Sequence, residues 1–418
     1  MFVFQSCNGG ALVVSPARPQ LIRAMNEQLL LDHIRGAGEL SRADLARTSG
    51  LAKNTVSLAL ANLERAGLVR TSGVRTGIPG PAAVLYQVAP DAGFVLGLDV
   101  GSHYLRGAIR DFAGTVRARA THKVRTSNGP ARVAELAVLA AKLRAEAGLG
   151  AGDVTQTVLG SPGVYDPRRD ALSLAGGLPG WDKPVVLHEL RAAFGDTLML
   201  ENDIDAAALA ERAHGHGRDV ESFAFVSIGT GIGMGLVLGG RLHRGSHGAA
   251  GEIGFMPLDS EASTDQADAR RRGSLEAAAS SAGIVRAARR SGMRGPVSAR
   301  HVFAAAGRGD ERALKVVADE ALLVAKAITA IITVADPDLV VLGGGVGRAD
   351  GFLDLVAVQV RLLAPVQPEL RVTALGDDAV VDGCLAAGAD RLWERVTATL
   401  TPPPTPDPPS WRPPRSSP

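Results

Sequence analysis

A short stretch near the N-terminus carries the hydrophobic spacing of two helices joined by a tight turn. Three apolar residues recur at the spacing of one helix face: Val56, Leu60 and Leu63. Gly50 precedes them where a tight turn needs a positive φ, and Ser41 with Asp44 three residues later has the spacing of a helix cap. An earlier apolar face predicts a helix over about 20–35. The pattern therefore predicts three helices, the last two forming a helix-turn-helix.

Apolar and polar residues then alternate in two short segments, as is typical of β-strands. Residues 68–71 and 84–88 follow this pattern, and the Gly- and Pro-rich segment 72–81 lies between them. Three helices and a hairpin predict an α+β winged helix-turn-helix domain over residues 19–90, a kind of domain that binds DNA. An ordinary helical pair is the alternative interpretation.

The charge distribution favours DNA binding by this domain. Residues 18–90 carry nine Arg and Lys against five Asp and Glu, whereas the whole chain has a formal net charge of only +2. Four polar residues at the start of the second helix of the motif are predicted to contact base edges: Lys53, Asn54, Thr55 and Ser57. Four arginines are predicted to contact phosphates: Arg42, Arg47, Arg70 and Arg75.

The rest of the chain has the pattern of a duplicated α/β domain. Residues 94–100 predict a buried strand, and residues 105–110 predict a strand that returns beside it. The same arrangement recurs later, with a strand at 223–228, a glycine loop at 229–233 and a returning strand at 234–238. Two such units predict two halves with a cleft between them.

Two segments of this domain carry candidate chemistry. Glycine loops bind anions when several N–H groups converge, and the phosphate-loop candidates are Gly229, Thr230, Gly231 and Gly233. Asp203 follows a predicted strand and opens a helix, where a carboxylate is placed to accept a proton from a bound hydroxyl. The alternative is that Asp203 or Asp205 only caps that helix.

Several segments together resemble the ROK family (repressors, open reading frames, kinases), over roughly residues 20–395. In chain order they are SRADLARTSGLAKNTVSLALANLERAGLV at 41–69, GLDVGSHYLRGAIRDFAGTV at 97–116, GSPGVYD at 160–166, ENDIDAAALAE at 201–211, GTGIGMGLVLGGRLHRGSHGAAGEIG at 229–254 and DPDLVVLGGGV at 336–346. The resemblance implies an actin-like ATPase, sugar kinase-like fold of two lobes over residues 93–398. It also implies that a member with an N-terminal winged helix is a sugar-responsive repressor.

The resemblance carries over four ligand-binding positions. Asn202 and Asp203 match the family's Asn-Asp pair, whose Asp is the catalytic base in the kinases. Glu252 matches the Glu of the motif Ala-Gly-Glu-Ile-Gly-His, and Glu276 matches the Glu that follows the zinc-binding cysteines. Each is implied to hydrogen-bond sugar hydroxyls.

The chain departs from the family pattern around the phosphates of ATP. Ser102, His103 and Tyr104 stand where family kinases have a Gly-Thr-Lys-like run, and two bulky rings are expected to crowd this loop. Arg106 is the available substitute for the missing cation. We therefore expect that phosphoryl transfer has been lost, that Asp203 is a vestigial base, and that ATP binding is doubtful.

Other departures concern the metal, the sugar and the wing. Phe255 replaces the family's His, and no Cys occurs between Phe255 and Glu276, so structural zinc is expected to be absent and no cofactor is predicted. Residues 257–273 are expected to form a mobile loop. Gly177 stands where a sugar-contacting Asn is expected, and the wing segment 77–81 lacks the usual Gly-Arg-Pro, for which Arg75 is the candidate substitute.

The two ends and the cysteine count complete the prediction. Residues 1–18 are expected to be a disordered lead, and residues 399–418 a disordered Pro-rich tail. Cys7 and Cys384 are the two cysteines, which excludes a disulfide framework, and no run of ~18 apolar residues suggests a membrane span. We expect a cytoplasmic, nucleoid-associated protein.

These observations favour a DNA-binding transcriptional regulator rather than an enzyme. It is expected to bind double-stranded operator DNA as a homodimer or tetramer and to respond to a sugar or phosphosugar. Two alternatives remain open. One is an ATP-dependent sugar kinase with an appended winged helix, and the other is a ligand-independent regulator whose second domain only dimerises.

Overall fold

The structure, a computed structural model, describes most of the chain and divides it into two compact units. The described residues are 2–4, 14–16, 19–76, 82–174, 178–257 and 266–400. The first unit holds the residues up to Ala92, Phe112–Thr115 and the residues from Arg391 onward. The second unit holds Gly93–Asp111 and Val116–Asp390. The wing segment 77–81, Gly177 and the tail from residue 401 lie outside the described residues.

The first unit contains a three-helix, three-stranded winged helix. Its elements are β1 (Phe2–Phe4), β2 (Val14–Pro16), α1 (Pro19–Ala37), β3 (Glu39–Ser41), α2 (Arg42–Ser49), α3 (Lys53–Arg65), β4 (Val69–Arg75) and β5 (Ala83–Val88). The last three strands pair antiparallel in the order β3-β5-β4, and β1 pairs with β2 in the segment that we expected to be disordered. The predicted winged helix-turn-helix is confirmed, with β3 as a strand that the sequence did not predict.

Local signals in the sequence explain why this unit folds as it does. Ser41 accepts a hydrogen bond from the Asp44 backbone N–H, and the Asp44 carboxylate accepts one from the Ser41 N–H, which forms the predicted capping box. Gly50 ends α2 with φ 72°, the left-handed value that the turn requires. Behind the turn, the predicted apolar face of α3 is fully buried: Val56, Leu60 and Leu63.

The second unit begins with a five-stranded sheet and the helices that cover it. These elements are β6 (Phe94–Val100), β7 (Tyr104–Asp111), β8 (Val116–Lys123), α4 (Gly129–Ala147), β9 (Val154–Ser161), β10 (Val164–Asp166), β11 (Ala171–Ser173), α5 (Pro184–Phe194), β12 (Leu198–Asn202) and α6 (Asp203–His214). The sheet has the order β12-β9-β6-β7-β8. We call this sheet with α4 and α5 the first lobe.

A second five-stranded sheet and a larger set of helices follow. These elements are β13 (Phe223–Ile228), β14 (Ile232–Leu238), β15 (Arg241–Leu242), α7 (Gln266–Arg272), α8 (Ser274–Ala279), α9 (Ser281–Arg290), α10 (Ala299–Gly307), α11 (Glu311–Ala335), β16 (Leu339–Gly343), α12 (Gly344–Gly347), α13 (Phe352–Leu363), β17 (Glu369–Val372) and α14 (Ala379–Leu400). The sheet has the order β15-β14-β13-β16-β17. We call this sheet with α7–α13 the second lobe.

The two sheets share one topology, which confirms the predicted duplication. In the first lobe β6 pairs antiparallel with β7 and parallel with β9. In the second lobe β13 pairs antiparallel with β14 and parallel with β16. The loop between the first two strands of each sheet is therefore the equivalent loop, and both loops face one cleft.

Two features differ from the predicted boundaries. Residues 266–272 form α7, so the expected mobile loop over 257–273 is wrong there. The last turns of α14 belong to the first unit, although we assigned them to the second domain. Trp393 is buried in the winged-helix core, stacks on Phe112 at 5.2 Å and donates from its ring N–H to Asp32 at 3.1 Å.

Among the described residues, no helix combines the length and the apolar character that crossing a lipid bilayer requires.

Candidate DNA interface and ligand cleft

The start of α3 presents the predicted base-contacting residues at the surface. Lys53 and Asn54 are exposed, and Thr55 and Ser57 are half-buried. The helix has no side-chain cap at Ala52, so its first backbone N–H groups also point outward without a capping side chain. This is the end of a recognition helix that enters a major groove in helix-turn-helix proteins.

The sequence analysis missed one residue of this surface. Leu58 lies on α3 close to the polar residues and is 56% exposed, unlike the leucines of the buried face. An exposed apolar side chain on a recognition helix is suited to contact the methyl group of thymine. The helical spacing could have identified it, because Leu58 falls outside the inward stripe that Val56, Leu60 and Leu63 define.

The four predicted phosphate-contacting arginines are exposed, and two of them share one carboxylate. Arg47 and Arg75 form ion pairs with Asp44 at 3.2 and 3.0 Å. The hydroxyl of Ser41 and these arginines lower the pKa of Asp44 to about 2, so it stays charged. Arg75 is therefore tied to the helix-turn-helix, although it is the candidate substitute for the missing wing arginine.

The other two arginines contact neutral groups of the wing. The guanidinium of Arg42 lies 5.4 Å from the ring centroid of Tyr86. Arg70 lies on β4 opposite Gln87 of β5. Both keep their full positive charge available at the surface.

The second unit holds a cavity of about 380 Å³ between its lobes. This volume lies in the range of small-molecule sites. The cavity brings together all of the predicted ligand and phosphate-loop residues: Asn202, Asp203, Gly229, Thr230, Gly231, Gly233, Glu252 and Glu276. The carboxyl ends of β6 and β12 and the loop between β13 and β14 supply much of its lining, as expected for an α/β sheet.

The Asn202 side chain has a structural function within the site. Its Oδ1 accepts hydrogen bonds from the N–H groups of Ile204 and Asp205, which makes Asn202 the cap of α6. Its amide donates to the Gly163 carbonyl at 3.0 Å. The capping function that we considered for Asp203 or Asp205 therefore belongs to Asn202.

Asp203 and Glu252 keep oxygens available to a ligand. Asp203 accepts one local hydrogen bond, from the Ile204 N–H at 2.9 Å, and Glu252 accepts none from any described residue. Burial raises the pKa of Asp203 to about 6. Burial, with Asp203 and Glu276 nearby, raises the pKa of Glu252 to about 7. Both carboxyl groups are thus poised near neutral pH.

Beneath Asp203 lies a buried group that the sequence analysis considered only as a cap. Asp205 is 3% exposed, and its Oδ1 has no hydrogen-bond partner among the described residues. Burial, with Glu201 nearby, raises the pKa of Asp205 to about 8. Glu201 itself is held by Arg244, whose Nε lies 3.0 and 3.1 Å from the two carboxylate oxygens. A second acidic residue four positions after Glu201, opposite one basic partner, was the available sequence signal.

Glu276 is already committed to the protein on both carboxylate oxygens. One oxygen accepts from Arg272 Nε at 2.6 Å, and the other accepts from the Ile232 N–H at 3.0 Å. Arg272 also donates to the Thr230 carbonyl at 3.0 Å. Glu276 and Arg272 therefore fasten the glycine loop to α7 and α8.

The glycine loop uses part of its hydrogen-bonding capacity internally. The Gly229 N–H donates to the Gly231 carbonyl at 2.9 Å, and the Ile232 N–H donates to Glu276. A side chain at Gly231 would place its Cβ 2.7 Å from Glu276, so only glycine fits. A phosphate cradle needs several convergent free N–H groups, and two of this loop's amides are already bonded.

The equivalent loop of the first lobe lacks a free cation. Arg106 lies 3.5 Å from Asp99 and 3.8 Å from both Asp377 and Asp378. Burial, followed by the carboxyl group of Asp203, raises the pKa of Asp99 to about 7. Ser102 lines the cleft within the described residues, whereas His103 and Tyr104 do not, so the expected crowding by their rings is wrong.

The residues around α7 do not fit a tetrahedral zinc site. Phe255 has no metal-binding atom, and no Cys or His occurs from Phe255 to Glu276. The Asp268 carboxylate lies 3.1 Å from Arg286 and 3.6 Å from Arg271. Among the described residues, no group of three His, Cys, Asp or Glu could hold a metal ion. Ion pairs fasten this segment instead.

Comparisons with known proteins agree with both halves of this picture. The ROK family profile matches residues 95–393, and the profile of the IclR helix-turn-helix domain matches residues 29–73. A putative xylose repressor of Caldicellulosiruptor sp. (strain Rt8B.4) is 26% identical over 393 residues, which cover 88% of this chain and 96% of that protein.

Two solved structures extend the similarity to the fold. One is a ROK family transcriptional regulator, a homologue of the E. coli MLC protein, with a TM-score of 0.72 and 25% identity over 91% of this chain and 99% of that one. The other is a ROK hexokinase from Thermus thermophilus, with a TM-score of 0.61 and 31% identity over 70% of this chain and 97% of that one. The regulator covers the chain more fully than the kinase does.

Proposed function

The chain belongs to the ROK family, and from that premise we propose that it is a DNA-binding transcriptional repressor whose cleft responds to a small carbohydrate. One observation carries the proposal. An exposed polar helix start on a winged unit occurs in a chain that aligns almost end to end with a putative xylose repressor. A family kinase needs no such helix, and the similarity to the hexokinase covers 70% of the chain.

On DNA, the exposed start of α3 reads the major groove. Lys53 and Asn54 make the principal hydrogen bonds to base edges, and Thr55, Ser57 and Leu58 complete the contact. Arg42, Arg47, Arg70 and Arg75 bind phosphates and position the helix without reading sequence. Because Asp44 shares its charge between Arg47 and Arg75, these two contribute less to the salt dependence than the other two.

In the cleft, the hydroxyl groups of a sugar donate to Asp203 and Glu252, whose oxygens are available. Asn202 and Glu276 act as positioning residues, because the protein already occupies their polar atoms. A ligand bound to both lobes favours the lobe arrangement that it fits best. It releases DNA only if that arrangement binds DNA less well than the other.

Phosphoryl transfer is absent in this proposal, and so is a structural zinc. Three features support the loss. Arg106 is surrounded by carboxylates, the glycine loop has two bonded amides, and the donor set around α7 contains neither Cys nor His. Symmetric DNA readers act on two half-sites, so we propose that the chain acts as a homodimer.

The decisive experiment uses the purified full chain and a random-sequence duplex library. Repeated selection at modest ionic strength is expected to enrich one sequence family with two related half-sites. Sugars and sugar phosphates, tested one by one, are expected to include at least one that releases the selected duplex and raises the melting temperature. Failure to enrich any sequence would overturn DNA recognition, and release by no sugar would favour a ligand-independent regulator.

A coupled assay with ATP, Mg²⁺ and a hexose panel tests the kinase alternative. No turnover is expected from the wild-type chain. Turnover that disappears in Asp203→Asn would contradict the proposed loss of phosphoryl transfer and would make the cleft an active site.

A further inference from the structure

A stripe of exposed apolar side chains runs along α13 in the second lobe. Leu355, Val358 and Leu362 are 42%, 44% and 75% exposed. Their spacing of three and four residues puts them on one face of the helix. The opposite face is fully buried: Phe352, Val356 and Val360. The stripe is therefore additional to the face that holds α13 in its lobe.

Two opposite charges lie beside this stripe. Asp354 is in the first turn of α13 and Arg361 is in the last turn, and both are exposed. Within the described part of the chain, neither forms an ion pair. At 100° per residue, both lie on the same side of Val358, whereas Leu355 and Leu362 lie on its other side. Along the helix axis, the two charges lie roughly 6 Å before and 4.5 Å after Val358.

We infer that this face of α13 binds the same face of α13 in a second copy of the chain, antiparallel about a twofold axis beside Val358. The axis opposes Val358 to the partner's Val358. It sets Leu355 against the partner's Leu362, and Asp354 against the partner's Arg361. Because a twofold interface repeats each contact, six apolar side chains become buried and two opposite-charge pairs form.

Apolar residues beyond α13 extend the surface. The helices α11 and α13 lead into the adjacent parallel strands β16 and β17, so their C-terminal ends lie at the same edge of the sheet. Val334, Leu363 and Val366 lie at that edge and are exposed, Val334 to 88%. A 12-residue helix is about 18 Å long, so this extension brings the surface toward the size of a stable interface.

The function of the dimer rests on the proposed function, since a symmetric operator needs two reading helices. The interface itself does not. The ends of α13 give a separate reason for the charges, because an acid in the first turn and a base in the last turn favour the helix dipole. That reason does not explain the exposed stripe, and it makes an opposite prediction for exchanged charges.

The test measures the oligomeric state of the full chain by sedimentation equilibrium. The wild type is expected to be a dimer. Leu362→Asp and Asp354→Arg are each expected to raise the dimer dissociation constant by about tenfold or more. The exchanged double variant, Asp354→Arg with Arg361→Asp, is expected to return to within about threefold of the wild type. Val138→Asp, at a residue that is 62% exposed on α4, is the matched control and should leave the constant unchanged.

Two outcomes overturn the inference. One is a monomeric wild type, and the other is an exchanged double variant that dissociates as much as either single variant, as the helix-dipole explanation predicts. Binding to a duplex selected with the wild-type chain separates this inference from the proposed function. A monomer that binds the duplex removes only the interface, whereas a dimer with the expected charge rescue that binds no duplex removes only the proposed function.

Discussion

The reading helix and the cleft carry their polar groups in opposite ways. Lys53 and Asn54 stand in solvent on a helix whose other face fills an apolar core. Asp205 and Glu252 lie inside the second unit, where burial and neighbouring carboxyl groups raise the pKa of each. The first surface costs the fold little, whereas the second lowers its stability at neutral pH. Substitutions should therefore separate function from stability in the first unit and couple them in the second.

The sharpest contrast lies within α3 itself. Leu60→Ala removes a fully buried side chain behind the reading surface and is expected to destabilise the first unit by about 2–5 kcal/mol. Hydrogen exchange of the α1–α3 amides measures that loss directly. Leu58→Ala, two residues away and exposed, is the control and should change stability by less than about 0.5 kcal/mol. Equal losses from the two variants would contradict the assigned faces of α3.

The exposed polar residues are expected to affect binding alone. Asn54→Ala or Lys53→Ala should weaken binding to the selected duplex by about 1–3 kcal/mol and relax its sequence preference. The melting temperature should stay unchanged, because neither side chain is buried. A scrambled duplex is the control. If its binding weakens equally, these residues contact phosphates rather than bases.

The cleft should show the reverse coupling. The pKa of Asp205 is raised in the folded protein, so the folded state holds its proton more tightly, and stability is lost as pH rises from about 4 to 8. Asp205→Asn is expected to remove about 1–3 kcal/mol of that decline. Urea unfolding of both proteins at pH 5 and pH 8 measures it. Asp196→Asn, at an exposed position, should leave the decline intact, and an unaltered decline in Asp205→Asn would contradict the coupling.

The smallest expected effect concerns the capping box of α2. Ser41→Ala should cost the first unit about 1 kcal/mol, and Ser41→Thr should restore most of it. Asp44 has a lowered pKa of about 2, so its share of the stability is present above about pH 4 and is lost as pH falls toward 2. Thermal unfolding at pH 7 and pH 3 measures both parts. A loss in Ser41→Thr as large as in Ser41→Ala would argue against the hydroxyl cap.

The sequence predicted those parts of the fold that depend on local signals. Gly50, the capping box and the apolar stripe of α3 each act over a few residues, so their pattern is visible in the chain. The strand-loop-strand repeat likewise predicted two sheets of one topology. The resemblance to the ROK family supplied the positions of Asn202, Asp203, Glu252 and Glu276, which the structure places in one cavity.

What the sequence did not predict depends on contacts between distant residues. Trp393 lies more than 300 residues after Arg35 and Asp32, and no local pattern indicates that it contacts them. The helix α7 replaces an expected loop because Arg272 and Asp268 find partners on other elements. Asn202, predicted to contact a ligand, instead caps α6, because two backbone N–H groups lie within its reach.

The burial of Trp393 in the core of the first unit has a consequence for biosynthesis. Helices α1–α3 leave the ribosome early, but the side chain that stacks on Phe112 and bonds to Asp32 is made roughly 15–60 s later at ordinary elongation rates. A nascent chain or a premature-stop product therefore lacks a complete reader core. Competence to occupy a promoter then requires translation through the last helix, which protects the genome from occupancy by fragments that cannot sense a ligand.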